Sequence, residues 1–217
     1  QIEEATLRTR KIGLGVMGFT DMLLKLKVKY DSEEGLKWAE RTMSFIAEAA
    51  ESVSVRLAEE KGNYGAIDES AHSGRNMRNA CRTTIAPTGT IARIAGVSSG
   101  IEPNFSWKTV SHILDGVMTD YHPLAKPYLE GGDPLPEYFV RAGEISPEWH
   151  IRMQAAFQDQ VDAAVSKTIN FAGGATREEV ADAFIQAHRM GLKGLTVYRE
   201  GSRRKEVLVR EETMLGE

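Results

Sequence analysis

The residues best suited to do chemistry form a turn at positions 87–91, which reads Pro-Thr-Gly-Thr-Ile. The apolar run 83–86 before it predicts a short strand, and the residues after it can start a helix. The first N–H groups of a helix have no partner inside the helix and carry positive potential, so this turn is suited to bind an anion. Gly89 allows close approach of the backbone, and Thr88 and Thr90 add hydroxyl donors.

The same residues also suit a capped helix whose threonines only satisfy backbone donors. The turn has no Walker lysine, so spacing alone leaves both interpretations open. A second turn, Ser98-Ser99-Gly100, follows about one short helix later.

Other reactive residues give weaker signals. Cys81 is the single cysteine, which is typical of a small core residue and excludes an internal disulfide. The five histidines show no metal-binding spacing, so we predict no metal site. Glu102 could act as a general acid or anchor the second turn. Residues 13–18 match the dinucleotide fingerprint by letter, but no buried strand precedes them, so we predict that their glycines serve close helix packing.

Several motifs together resemble one family. The sequence resembles the catalytic subunit of ribonucleotide reductase, specifically the adenosylcobalamin-dependent (class II) type, at residues 78–80, 84–91, 100–103, 10–19, 166–170 and 191–199. The order of these motifs is that of the family, and the resemblance covers about residues 5–205. Reductases that use a separate radical-generating subunit carry two adjacent tyrosines on the last barrel strand. This chain has only Tyr198 there, which favours the cobalamin class.

The resemblance implies the fold, the site and the partners. The fold would be α/β, with residues 1–205 supplying the later strands and helices of a ten-stranded α/β barrel and residues 206–217 forming a frayed, charged tail. The turn would hold the phosphates of a ribonucleoside di- or triphosphate through Pro87, Thr88, Gly89, Thr90 and Ile91. The complete enzyme would use adenosylcobalamin and a dithiol reductant such as thioredoxin to form deoxyribonucleotides by radical chemistry.

The radical cysteine and the redox cysteine pair of the family lie outside the matched motifs, so we assign no catalytic residue to this chain. It would be a fragment or a split small subunit, inactive without the chain or segment that carries the upstream half of the barrel. The alternative is a non-catalytic, nucleotide-binding or regulatory reductase-like subunit. An adjacent gene encoding the radical-cysteine half would favour the split enzyme.

Bulk composition agrees with this interpretation. The chain has 217 residues, 41% hydrophobic and 27% charged, with a net charge of −4. An acidic balance argues against binding a nucleic acid polymer, and no apolar run approaches the roughly 20 residues of a membrane span. We therefore expect a cytoplasmic protein that associates with no membrane and can form a homo-oligomer.

The elements that must position the turn follow from periodicity and caps. We predict a helix over 12–28 and a long helix from an N-cap at Asp31 or Ser32 to a C-cap at Gly62. Its apolar residues form one stripe: Leu36, Ala39, Met43, Ile46, Ala50, Val53 and Leu57. Two further helices are predicted, over 147–163 with Ser146 as cap and over 176–190 with Thr176 and Glu179 as a capping box. We predict strands over 165–171 and 195–198, a loop over 63–78, and an irregular segment with short helices over 115–146. The alternation of strands and helices favours parallel strands.

Overall fold

The computed structural model describes residues 1–113 and 116–202, so the tail predicted over 206–217 lies outside the described residues. The α-helices are α1 (Ile2–Thr9), α2 (Phe19–Leu26), α3 (Glu33–Lys61), α4 (Gly89–Ala95), α5 (Lys126–Gly131), α6 (Pro147–Gln158) and α7 (Arg177–Arg189), and 3₁₀ helices cover Ile67–Glu69 and Ala142–Glu144. The strands are β1 (Lys108–Ile113), β2 (Gly116–Tyr121), β3 (Thr168–Phe171) and β4 (Thr196–Arg199).

Extended segments that lie side by side in chain order form a parallel arc. Leu14 forms a parallel bridge with Thr83, and Ile85 forms the next one with Val165. The arc continues through β3 and β4, which pair in parallel with Thr168 opposite Thr196. This arrangement confirms the α/β prediction with parallel pairing.

The helix predicted over 12–28 is wrong in its first half, because only α2 is helical there and Leu14 is extended. Close contact with the neighbouring segment is the reason. A Cβ atom at Gly15 would lie 2.0 Å from the carbonyl oxygen of Thr84, and one at Gly13 would lie 2.5 Å from the Thr84 Cγ2 atom. The glycines therefore serve close packing, as expected, but against an extended segment and not against a helix.

Of the two residues predicted as the N-cap of the long helix α3, Ser32 is the one that caps it. Ser32 accepts a hydrogen bond from the Gly35 N–H at 3.0 Å, while Gly62 follows the last turn with φ of 81°. The apolar stripe predicted along this helix is buried only over its first half. In the second half Ser54 is buried and Val53 is 42% exposed, because Ser54 binds Asn79 in the segment that packs there.

The later helices match their predicted caps. Ser146 caps α6, which ends at Gln158 and so is shorter than predicted. Thr176 and Glu179 form the predicted capping box at the start of α7. The segment 115–146, predicted as irregular with short helices, contains α5 but also β2, which pairs antiparallel with β1. That pairing was missed.

The main core lies between the arc and helices α2, α3 and α6. Phe19 and Phe157 meet edge to face in this core, with ring centroids 4.9 Å apart. Ile85 and Val165 contribute from the arc, so the segment that leads into the turn is itself buried. A second cluster packs α7 on β3, through Ala183 and Ile169 among others.

Candidate phosphate-binding turn

The turn at residues 87–91 follows directly from the arc segment that contains Thr83 and Ile85. Thr88 is the N-cap of α4 and adopts the left-handed region with φ of 52°, unusual for a residue other than glycine. Its carbonyl accepts the Ala92 N–H at 2.9 Å, which closes the first helical turn. The chain thus reverses sharply as it leaves the arc, and the start of α4 faces outward.

The N–H groups at the start of α4 are open. Within the described part of the chain, no backbone or side-chain acceptor meets the N–H groups of Gly89, Thr90 and Ile91. All three residues are exposed, and a Cβ atom built at Gly89 would meet no heavy atom within 4 Å. Unsatisfied N–H groups with free space beside them suit an oxyanion such as a phosphate.

The second turn supports the first. The Gly100 N–H donates to the Thr88 hydroxyl oxygen at 2.8 Å, which leaves the hydroxyl hydrogen of Thr88 available to donate outward. Gly100 has φ of 49°, and a Cβ atom there would lie 3.0 Å from the carbonyl oxygen of Ala86. Glycine is therefore required at this contact for its conformation and for its small size.

Glu102 anchors the second turn to the arc. One carboxylate oxygen accepts the Thr168 N–H at 2.6 Å, and the other accepts from the Lys167 ammonium at 2.8 Å. Of the two roles considered for Glu102, this geometry favours the anchor, because both oxygens are engaged by donors of the protein.

Lys167 and His150 continue the network into the core. The Lys167 side chain is fully buried, and its Nζ atom lies 2.9 Å from His150 Nδ1. His150 Nε2 lies 3.0 Å from the carbonyl oxygen of Ala142, so Nε2 carries the proton and Nδ1 accepts from Lys167. Burial first, and then the Lys167 charge, lower the pKa of His150 to about 3, which keeps the ring neutral. Burial also lowers the pKa of Lys167, although the Glu102 carboxylate opposes this shift.

The family motif at residues 166–170 includes Lys167 but indicates no role for it, so the sequence did not predict this network. The signal that could have found it is a charged residue within a predicted apolar strand, since a buried charge needs a partner. The partners Glu102 and His150 come from other segments, so sequence spacing does not identify them.

Cys81 shows no sign of activation. It is partly buried, and its sulfur lies 3.8 Å from the Thr83 carbonyl oxygen. Burial first, and then the nearby Asp162 charge, raise the pKa of the thiol, which disfavours the reactive thiolate. That Cys81 has no catalytic role remains a prediction.

Two absences concern the described residues, 1–113 and 116–202. No group of three or more His, Cys, Asp or Glu side chains in these residues could hold a metal ion. Likewise, no helix in the same residues is both long enough and apolar enough to cross a membrane.

Proteins with similar sequences and folds include ribonucleotide reductases. A sequence model of the ribonucleotide reductase barrel domain matches residues 1–77 and 71–198. A vitamin B12-dependent ribonucleoside-diphosphate reductase of Thermoplasma acidophilum is 44% identical over 234 aligned residues, covering 96% of this chain and 30% of that protein. Its namesake in Mycobacterium tuberculosis is 42% identical, covering 96% of this chain and 34% of that protein.

A solved structure shows the same fold. The class Id ribonucleotide reductase α subunit of Actinobacillus ureae superposes with a TM-score of 0.75 at 22% identity, over 90% of this chain and 40% of that one. The parallel arc and its helices are therefore part of a reductase α/β barrel. The chain spans about a third of the length of the curated relatives, 30% and 34% in the two cases. The family motifs, the barrel-domain match and these relatives agree, and the chain belongs to the ribonucleotide reductase family, within its barrel domain.

Proposed function

We propose that this chain is part of a vitamin B12-dependent ribonucleotide reductase and that it supplies the turn that holds the substrate phosphates. The relatives that are 44% and 42% identical are both named vitamin B12-dependent ribonucleoside-diphosphate reductases, so their names specify a diphosphate substrate. We therefore favour a ribonucleoside diphosphate as substrate, with a triphosphate as the alternative.

The observation that carries the phosphate role is the set of open N–H groups at Gly89, Thr90 and Ile91. A phosphate seated there would accept from these N–H groups and from the hydroxyl of Thr88, whose other contact already comes from Gly100. Pro87 lacks an N–H and has a restricted φ, which stiffens the approach to the turn. In this proposal the turn binds and orients the substrate through its phosphates, and the radical cysteine belongs to another part of the enzyme.

The remaining partners belong to the complete enzyme. Adenosylcobalamin would supply the radical when bound, and we assign none of the described residues to this cofactor. A single cysteine cannot provide the radical thiol and a reducing pair as well, so the upstream half of the barrel and a dithiol such as thioredoxin complete the reaction. We propose a cytoplasmic enzyme, which the nucleotide substrate and the lone cysteine support.

A binding experiment tests the phosphate role. Gly89→Val places a branched side chain beside the open N–H groups, and we expect it to weaken pyrophosphate binding at least tenfold in a calorimetric titration. Gly174→Val is the matched control, because Gly174 is also exposed with no heavy atom within 4 Å of a built Cβ. Equal binding by the parent and Gly89→Val would place the phosphate elsewhere.

An activity experiment tests the enzyme assignment. The chain is mixed with a chain carrying the upstream half, adenosylcobalamin, a dithiol and a ribonucleoside diphosphate, and deoxyribonucleotide is measured. We expect product from the mixture and none from the chain alone. Binding without product in the mixture would instead favour a non-catalytic, regulatory reductase-like subunit.

A further inference from the structure

The least expected group in the molecule is the buried ammonium of Lys167. Along residues 165–171 the inward positions are Val165, Lys167, Ile169 and Phe171, and all four are buried. An apolar side chain would suit the second of these positions as well as the others. A buried ion pair contributes little net stability, and replacing it with apolar side chains often leaves the protein equally or more stable. The presence of this ammonium therefore indicates a role other than packing.

The ammonium of Lys167 binds the loop at residues 100–102, which supports the phosphate turn. It holds Glu102, and Glu102 lies two residues after Gly100, whose N–H donates to Thr88. The loop has further ties, because the Tyr30 hydroxyl donates to the Ile101 carbonyl at 2.8 Å and the Thr20 hydroxyl donates to the Glu102 carbonyl at 2.7 Å.

The phosphate turn itself makes few hydrogen bonds to the rest of the described chain. Within the described part of the chain, the Thr88 side chain makes one hydrogen bond, which it accepts from the Gly100 N–H. Gly89, Thr90 and Ile91 are exposed. The left-handed conformation of Thr88 is unfavourable on its own and persists only where its surroundings hold it. The position of the turn therefore depends on the position of the Gly100–Glu102 loop.

We propose that the Glu102–Lys167 ion pair is a positioning element that holds Thr88 and the open N–H groups in the geometry that binds the substrate phosphates. Neither residue touches the substrate. The inference rests on the proposed phosphate role of the turn. Because the phosphates are bound equally before and during the reaction, loss of the pair should raise KM for the nucleotide and leave kcat nearly unchanged.

Lys167→Met and the double variant Glu102→Gln with Lys167→Met test this in the complete enzyme, with the upstream half present. The double variant keeps an acceptor for the Thr168 N–H and leaves no unpaired charge in the core, so we expect it to fold even if Lys167→Met does not. We expect both to raise KM for the ribonucleoside diphosphate, and the Kd for pyrophosphate, about tenfold, with kcat within twofold.

Ala187→Gly serves as a control for loss of stability alone. Ala187 is buried in α7, in the cluster that packs on β3 and includes no residue of the turn, and glycine weakens a helix interior. We expect its KM to remain at the parental value. If the double variant binds nucleotide like the parent while Gly89→Val does not, the ion pair is only structural and the inference is overturned. If Gly89→Val also binds like the parent, the phosphate role itself fails.

Discussion

Two glycines near Thr84 serve opposite purposes. Gly15 lies on the segment that pairs with the Thr84 segment, and Gly89 lies in the turn that follows Thr84 along the chain. At Gly15 there is no room for a side chain, since a Cβ atom would lie 2.0 Å from the Thr84 carbonyl oxygen. At Gly89 there is only open space within 4 Å of a Cβ atom. The first glycine lets two backbones pack together, and the second keeps a group of N–H donors accessible.

The two segments share a rigid support. The segment around Thr84 is bonded to Leu14 on one side, and on the other Ile85 is bonded to the segment around Val165. It ends at the exposed turn, so the strained Thr88 is carried by a buried strand. The comparison shows that tight packing under the turn at residues 87–91 allows the turn itself to remain exposed with few hydrogen bonds, which suits the phosphate role we propose for it.

The largest effect is expected at the packed glycine. Gly15→Ala should lower the free energy of unfolding by about 3 kcal/mol or more, because backbone atoms must move to admit the methyl group. Urea unfolding followed by circular dichroism measures the change. A loss below about 1 kcal/mol would mean that the contact between Gly15 and Thr84 relaxes easily, and the contrast between the two segments would disappear.

An intermediate effect is expected at the ion pair between Arg82 and Asp162, which holds the segment that leads into the turn. Asp162 accepts from the Arg82 side chain at 2.9 Å and from the Arg82 N–H at 2.7 Å. Burial raises the pKa of Asp162, but the hydrogen bonds from Arg82 outweigh it and the pKa is lowered below its ordinary 3.8. Asp162→Asn should therefore lower the free energy of unfolding by about 2 kcal/mol at pH 7.

The pH dependence of that difference follows from the sign of the shift. A carboxyl whose folded pKa is lowered stabilises the fold above its ordinary pKa and loses this contribution as pH falls through the lower, folded value. The difference between the parent and Asp162→Asn should thus shrink below pH 3.8. Unfolding measured at neutral pH and in acid checks this, and a difference independent of pH would contradict it.

The smallest effect is expected at the open glycine. Gly89→Ala should change the free energy of unfolding by less than about 1 kcal/mol, in the stabilising direction, because alanine restricts the unfolded chain and favours a helix. It is measured beside Gly15→Ala under the same conditions. A clear loss of stability would show that Gly89 packs against something, and the turn would then not be free to take a ligand.

Local signals in the sequence predicted the local features well. Ser146 and the pair Thr176 and Glu179 were predicted as caps and are caps, because a capping bond joins residues only three apart. The parallel α/β arrangement followed from the alternation of β3, α7 and β4. The turn at residues 87–91 was likewise identified by its residues, and the family resemblance supplied its expected role.

Contacts between segments distant in the chain could not be predicted from the sequence. Residues 12–14 read as helical by pattern, yet the neighbouring Thr84 segment decided that they are extended. The β1–β2 pairing was missed because the prolines and glycines that follow β2, between residues 123 and 136, made the whole of residues 115–146 resemble an irregular loop. Helix propensity is weak compared with the packing and pairing that tertiary contacts supply.

What the sequence determined by itself is the family, the order of the strands and helices around the turn, and the residues of the turn. The tertiary structure alone decided which glycine is packed and which is open, and which partners surround Lys167. The physical reason is range. Caps and turns are set by neighbours along the chain, whereas close backbone contacts and the pairing of a buried charge arise only when separate segments meet in the folded core.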